Sequence, residues 1–366
     1  MKTVTFLVSK HPYGHFDGET AISRLLMQAA AESFAVDCIA LATGLGPRGP
    51  FPVRVVPKGG LFLPRVVGRS LLARRSAIHV RFAPPALVQA IEANNSDHLV
   101  ARRLYMAEGP LQARRPVDVL VDVLESHVLR ARGGSMRPAL AVEARRTARD
   151  EQRCMAAARS LAALGEDEAV VARAVANRAV PRLDVVLRPH GDGPPAEPRP
   201  PVALYLGDRR WAPNLAGLRR LYRLWPAILQ AAPSARLLVV GAAGRREPPP
   251  PDGVEVTGFV DDLGTVWDSA RLLIAPITIG GGVRVKLLEA ASRGVPVVGT
   301  RAAVGSTSAY LPLTGSDDDD MLISRCAEFL TDGRAALAAG HDLWEANADC
   351  WRSGRLAHAV AEWLGR

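Results

Sequence analysis

The chain has 366 residues, 48% hydrophobic and 23% charged, with a formal net charge of +9. That length exceeds what one hydrophobic core organises, so two domains are expected, and the composition excludes a disordered or fibrous chain. No run approaches the roughly 18–20 apolar residues of a membrane span, and Met1–Val8, followed by His11-Pro12, reads as a first buried strand and not as a leader, so a cytoplasmic protein is expected.

The elements alternate from the start. Thr3–Val8 predicts a strand, and Glu19–Ser33 a helix with Ile22, Leu25, Leu26 and Ala29 on one face. Val36–Leu41 predicts a second strand, Val53–Val56 and Ala77–Arg81 weaker ones, and Val117–Leu124 a strong one behind Pro116. Pro138–Ser160 reads as a long helix and Leu183–Leu187 as a further strand. Residues 191–201, Gly-Asp-Gly-Pro-Pro-Ala-Glu-Pro-Arg-Pro-Pro, are too rich in proline to continue either element and form the linker. The alternation then restarts: strand Val202–Leu206, helix Leu215–Ala231, strands Arg236–Val240 and Val254–Thr257, helix Leu263–Ser269, strand Leu272–Ala275, helix Val283–Arg293 and strand Val295–Gly299. Asp317–Asp320 reads as a solvated loop. Asp342–Arg366 is helical, and its three tryptophans imply packing.

Two parallel α/β sheets follow, in two Rossmann-like domains facing a central cleft. The boundaries are 1–190 on the acceptor side and 202–344 on the nucleotide side, with helix 345–366 packing back on the first domain.

Several chemistries are disfavoured. The positive charge is nearly all arginine, lysine occurring only as Lys2, Lys10, Lys58 and Lys286. It is interleaved with acids, and no basic run carries aromatics, so no nucleic-acid partner is expected. Anionic small molecules or peripheral contact with an anionic membrane fit the same charge. The four cysteines and eight histidines show no metal-ligand spacing, and no metal site is expected. Gly44-Leu45-Gly46-Pro47-Arg48-Gly49 matches the dinucleotide fingerprint, but Pro47, Pro50 and Pro52 stand where its helix must begin, and no acid follows about 20 residues on to hold a ribose.

The segment that carries chemistry is Gly280 to Glu289. After a buried strand, three glycines let backbone N–H groups approach a ligand, and the helix that follows turns its positive end to the same place. Arg284 and Lys286 lie in that first turn, where cations are disfavoured unless an anion is bound. Each charge-assisted hydrogen bond to phosphate contributes roughly 1.5–3 kcal/mol. Glu289 shares a helical face with Lys286 and suits the two hydroxyls of a ribose. The alternative is a surface ladder Lys286–Glu289–Arg293.

The run Gly-Gly-Val-Arg-Val-Lys-Leu-Leu-Glu-Ala-Ala-Ser-Arg-Gly-Val-Pro-Val-Val-Gly-Thr at 281–300 resembles the donor-site signature of glycosyltransferase family 4. Tyr205-Leu206-Gly207 with Trp211-Ala212-Pro213-Asn214, Arg236–Gly241, Val256–Asp262 and Arg188–Asp192 resemble further pieces of that family. The resemblance implies a GT-B fold and a glycosyltransferase that moves a hexose from a UDP- or GDP-linked sugar to a glycan, lipid-linked or small-molecule hydroxyl. It implies retention of configuration, no bound metal and no cofactor beyond the nucleotide-sugar co-substrate. By this resemblance Gly281, Gly282, Arg284, Lys286 and Arg209 bind the diphosphate, Glu289 holds the ribose, and Phe259 and Val260 lie beside the base. Gly282 stands where many members have a glutamate. Asp17-Gly18 either meets the donor phosphate or caps the helix at Glu19. His127, just after the Val117–Leu124 strand, either lies near the reacting sugar or is a loop histidine without a role. An epimerase of the same fold and a degenerate binding subunit are the alternative readings.

Overall fold

The computed structural model describes residues 1–14, 17–44, 46–58, 63–131, 138–244, 247–260, 262–278 and 281–365. Two compact units divide the chain. The first holds Met1–Val185, Gly281–Val283 and Gly354–Arg366, and the second Val186–Gly280 and Arg284–Ser353.

The first unit runs β1 (Thr3–Val8), α1 (Gly18–Ala31), β2 (Ala35–Ala42), β3 (Val53–Pro57), α2 (Leu63–Ala73), α3 (Ala77–Arg81), α4 (Pro85–Glu92), β4 (His98–Arg102), α5 (Glu108–Gln112), β5 (Asp118–Val121), α6 (Glu125–Ala131), α7 (Pro138–Ala157), β6 (Ser160–Ala163) and α8 (Glu166–Ala176). The six strands pair in parallel in the order β3-β2-β1-β4-β5-β6. β1 is apolar on both faces because helices cover both, as a parallel sheet requires, and its residues after Thr3 are buried.

The second unit runs β7 (Val202–Leu206), α9 (Ala212–Ala231), β8 (Arg236–Val240), β9 (Val254–Gly258), α10 (Gly264–Ser269), β10 (Leu272–Ala275), α11 (Val285–Ser292), β11 (Val297–Gly299), α12 (Arg301–Val304), α13 (Asp319–Thr331) and α14 (Gly333–Arg352). Its five parallel strands lie in the order β11-β10-β7-β8-β9, over a core that includes Tyr205, Trp225, Leu237 and Phe329. The final helix, α15 (Arg355–Gly365), packs in the first unit against α1 and buries Trp363. No helix among the described residues is long and apolar enough to cross a membrane.

Several expected elements differ. Ala77–Arg81 is a helix, not a strand: its short apolar run is pinned at the N-terminus, where Glu143 accepts from Ala77 N–H at 2.6 Å. Leu183–Leu187 joins no sheet ladder among the described residues, where the chain beside it makes an isolated bridge of Arg182 to Ala163, so it is no strand. The long helix stops at Ala157, because Ser160–Ala163 leaves it to become the sheet edge β6. Asp318 caps α13 through Met321 N–H (2.9 Å), with Asp319 and Asp320 in the first turn, so three of the four acids start a helix where a loop was expected. Between β2 and β3 there is no helix among the described residues (Leu45 lies outside them). Two of the three glycines of the dinucleotide-like motif serve packing instead: a Cβ on Gly46 would fall 2.2 Å from His11, and one on Gly49 2.2 Å from Tyr13.

Candidate functional site

In the second unit the strand order reverses between β7 and β10, so the loops that leave these strands at their carboxyl ends diverge and open a crevice. One wall is the β7–α9 loop, Gly207–Trp211. The other is the β10–α11 loop, of which Ile279 and Gly280 lie outside the described residues. The first wall fits only with glycine at Gly241, whose φ is +127° and whose Cβ would fall 2.2 Å from Gly207 O.

α11 begins two residues later than the sequence suggests. Arg284 sits at the N-cap and gives no side-chain cap, and no acid stands in the first turn. The first N–H groups of this helix therefore have no carboxylate of their own turn to answer them. Lys286 reaches Asn214 Oδ1 at 3.5 Å, with its ammonium 5.5 Å from the centre of the Tyr205 ring. Asn214 is held by its own Nδ2, which donates to Asp208 O at 2.8 Å. Burial, then the like charge of Arg284, pushes the Lys286 ammonium down to about 7, with Glu289 opposing.

Glu289 is 9% exposed, which excludes the surface ladder. Burial pushes its carboxyl up to about 7, against the pull of Arg293, Lys286 and a hydrogen bond from Trp267. Lys286 and Glu289 are one helical turn apart, each opposing the other's shift, yet no ion pair joins them among the described residues. Arg209 is buried: Nε donates to Glu247 Oε1 (2.7 Å) and Nη1 to Gly241 O (2.9 Å), while Nη2 has no partner among the described residues. Phe259, 52% exposed, and Val260 follow β9 at the same carboxyl end of the sheet. Asp261, in the loop beside them, lies outside the described residues.

Residues 200–332 match the family model described as glycosyl transferases group 1. Over these residues the second unit is similar to the group 1 glycosyl transferases. Among solved structures, the chain is similar to WaaG, a glycosyltransferase involved in lipopolysaccharide biosynthesis, with 17% identity over 99% of this chain and 100% of that one and a TM-score of 0.68. HepE of Anabaena in complex with UDP aligns at 14% identity over 99% and 98%, TM-score 0.63. OtsA aligns at 9% over 100% and 98%, TM-score 0.65. At such identities the likeness shows the fold, which is GT-B across both units. No curated protein matches the chain in sequence.

In the second unit Arg284, Lys286 and Glu289 thus stand at the start of and along α11, and Arg209 on the loop that follows β7. The remaining candidates fall in the first unit. Asp17 is engaged at both carboxylate oxygens, Oδ1 accepting from Thr20 N–H (2.9 Å) and Oδ2 from Lys10; Gly18 is the first residue of α1. The capping alternative is thus realised (His15 and Phe16 just before it lie outside the described residues). Gly281 and Gly282 group with this unit, and Gly282 N–H donates to Glu168 Oε1 at 3.0 Å, so that amide already has an acceptor. Burial raises the Glu168 carboxyl to about 7, with Asp122 and Asp167 adding and the Gly282 N–H opposing. His127 is exposed on α6; burial and then Arg130 hold its imidazole below the usual range, against Asp167.

The sequence reading missed a charged network where β1, β4 and β5 end. Arg102 Nη2 donates to Asp122 (3.1 Å), Arg103 Nη1 to Glu125 (2.9 Å), and Glu19 accepts from Ser9. Its visible signal was Arg102-Arg103 closing a short apolar run. A second omission is the His79, Glu108 and Cys154 trio, the one group of metal-ligand type among the described residues. Arg75 and Arg153 already donate to Glu108 Oε1, so the trio is a neutralised ion cluster of the core.

Proposed function

We propose that the chain is a retaining, metal-independent glycosyltransferase of family 4 type, moving a hexose from a nucleotide-diphosphate-sugar to a hydroxyl acceptor. One observation carries this reading: Arg284 and the half-buried Lys286 stand at the start of α11, whose first turn holds no acid, with the buried carboxylate of Glu289 one turn on. A diphosphate supplies the missing charge. Lys286, Arg284 and the start of α11 then stabilise the negative charge that develops on the departing nucleotide. Two side-chain cations take the electrostatic part that a metal ion plays elsewhere. Glu289 accepts from the ribose hydroxyls, Phe259 and Val260 flank the base, and Arg209 shapes the facing loop and lends its remaining N–H. The UDP complex of HepE, a protein of the same fold, makes a uridine nucleotide the first donor to try.

A thermal-shift screen of UDP-, GDP- and dTDP-sugars tests the donor site, since a bound donor raises stability by mass action. Absence of any shift, in wild type as in Lys286→Ala, sinks the proposal. Gly282, in the place of an acid, favours a second reading, a binding subunit without turnover. Detection of a glycosylated product, with its anomeric configuration read by NMR before and after treatment with a chelator, decides between them and tests retention and metal independence.

A further inference from the structure

Lys58 stands in the first unit much as Lys286 stands in the second. It follows β3, and its Nζ donates to Ser9 O at 3.1 Å. Ser9 is the residue after β1, and the strand order of this sheet reverses between β1 and β4. The lysine therefore reaches the switch point, outside the carboxyl ends of the strands, where open α/β sheets take ligands. Its ammonium lies 4.8 Å from the centre of the Phe82 ring, and the guanidinium of Arg81 lies 5.6 Å from the same centre. Two cations thus converge on one buried ring, itself stacked on Tyr105 at 4.3 Å. A ring face attracts a cation modestly and leaves the repulsion between two of them unanswered.

Neither Lys58 nor Arg81 makes an ion pair among the described residues. The carboxylate whose charge reaches Lys58 is Glu19, and it is already engaged. It accepts from Ser9 and faces Lys10 at 3.4 Å and Arg102 at 3.9 Å. Burial, then Arg81, holds the Lys58 ammonium below its usual range; Glu19 opposes and Lys10 adds.

We propose that Lys58 and Arg81 hold a phosphate monoester. Two unanswered positive charges call for a dianion, and a carboxylate neutralises only one of them. Lys58 supplies a compact point charge and Arg81 a planar fork of donors, so both contacts are charge-assisted. The phosphate belongs to the acceptor, a step that rests on the glycosyltransferase reading, because that reading gives the donor's phosphates to Arg284 and Lys286. The acceptor class is then a phosphorylated one and not a neutral glycan.

The four lysines of the chain make the test direct. The full chain, labelled with ¹³C at the lysine ε carbon, is titrated at low ionic strength with methyl phosphate, acetate and UDP, and the four signals are followed by NMR. Lys58→Met assigns the Lys58 signal by deleting it. Methyl phosphate is expected to move that signal saturably, and acetate to bind roughly tenfold more weakly, having one charge fewer to pair. Arg81→Gln lowers the methyl phosphate affinity by roughly tenfold, and Lys58→Met, read by calorimetry, by roughly tenfold or more. Both variants keep the wild-type melting curve and UDP affinity. In glycosyl transfer, methyl phosphate raises the acceptor KM and leaves the donor KM.

A Lys58 signal that does not move, that moves without saturating, or that responds equally to acetate overturns the proposal. So does a response of Lys286 alone, or a rise in donor KM alone, either of which puts the phosphate in the donor site. Absence of any UDP response at Lys286 with the Lys58 response intact sinks the donor-site reading instead and leaves the phosphate site standing.

Discussion

Lys286 lies against Asn214 Oδ1, a neutral acceptor, at 3.5 Å, and no carboxylate pairs with it among the described residues. A half-buried ammonium next to Arg284 and on an amide oxygen is an arrangement that a bound anion completes. The consequences can be measured.

Removing the charge should stabilise the empty protein. Lys286→Met keeps the length of the side chain and deletes a cation that burial disfavours, so stability should rise by about 1 kcal/mol, roughly 2–4 °C for a unit of this size. Nucleotide-diphosphate affinity should fall by roughly 100-fold, the loss of one charge-assisted contact in a dry site. Differential scanning calorimetry and titration calorimetry read the two effects; a destabilised variant with intact affinity contradicts the assignment.

Binding should take up a proton. With the Lys286 ammonium depressed to about 7, a diphosphate beside it restores the charged form. Affinity attributable to this group is therefore full below pH 7 and falls by about tenfold per pH unit above it, until the pKa in the complex is reached. Calorimetry at pH 8 in buffers of different ionisation enthalpy should show net uptake.

Glu289 should read the ribose. Glu289→Ala is expected to weaken UDP by roughly tenfold or more, and to weaken the 2′-deoxy analogue far less. If the variant loses the same factor for both, the carboxylate serves something other than the sugar hydroxyls. Because burial raises this carboxyl to about 7, its folded-state pKa lies above the unfolded one. Its contribution to stability is thus present below about pH 4.5 and lost as pH rises through 7.

The backbone of the facing loop tolerates no side chain at Gly241. A Cβ there meets Gly207 O at 2.2 Å, and φ is +127°. Gly241→Ala should cost about 3 kcal/mol, seen as a lowered urea midpoint. A neutral outcome would mean that the β8 end can move away from β7.

The core of the first unit should be acid-sensitive. Burial alone would raise the Glu108 carboxyl, but the hydrogen bond and charge of His79, then Arg153 and Arg75, hold it down at about 2. Its stabilisation is therefore present above pH 4.5 and lost as pH falls toward 2. Glu108→Gln should cost about 3 kcal/mol and leave stability flatter between pH 5 and 3, as followed by circular dichroism.

The local code was legible where periodicity is strong. Thr3–Val8, Val202–Leu206 and Leu272–Ala275 read as buried strands because helices cover both faces of a parallel sheet, and they are strands. Ala77–Arg81 was misread because five apolar and basic residues suit either element, and the contact that decides between them comes from Glu143, far along the chain. His98–Arg102 escaped notice for the opposite reason, since its apolar run is only Leu99-Val100-Ala101.

The sequence by itself determined the alternation of strands and helices, and the conjunction of Gly281, Gly282, Arg284, Lys286 and Glu289 around one helix start, because both are written in adjacent residues. Only the tertiary structure decided that Arg209 is clamped by Glu247, that Asn214 meets Lys286, that Trp267 reaches Glu289 and that Gly282 N–H is spent on Glu168. These are contacts between residues distant in sequence, and burial, which sets the charge of each group, is a property of what packs around it and not of its neighbours in the chain.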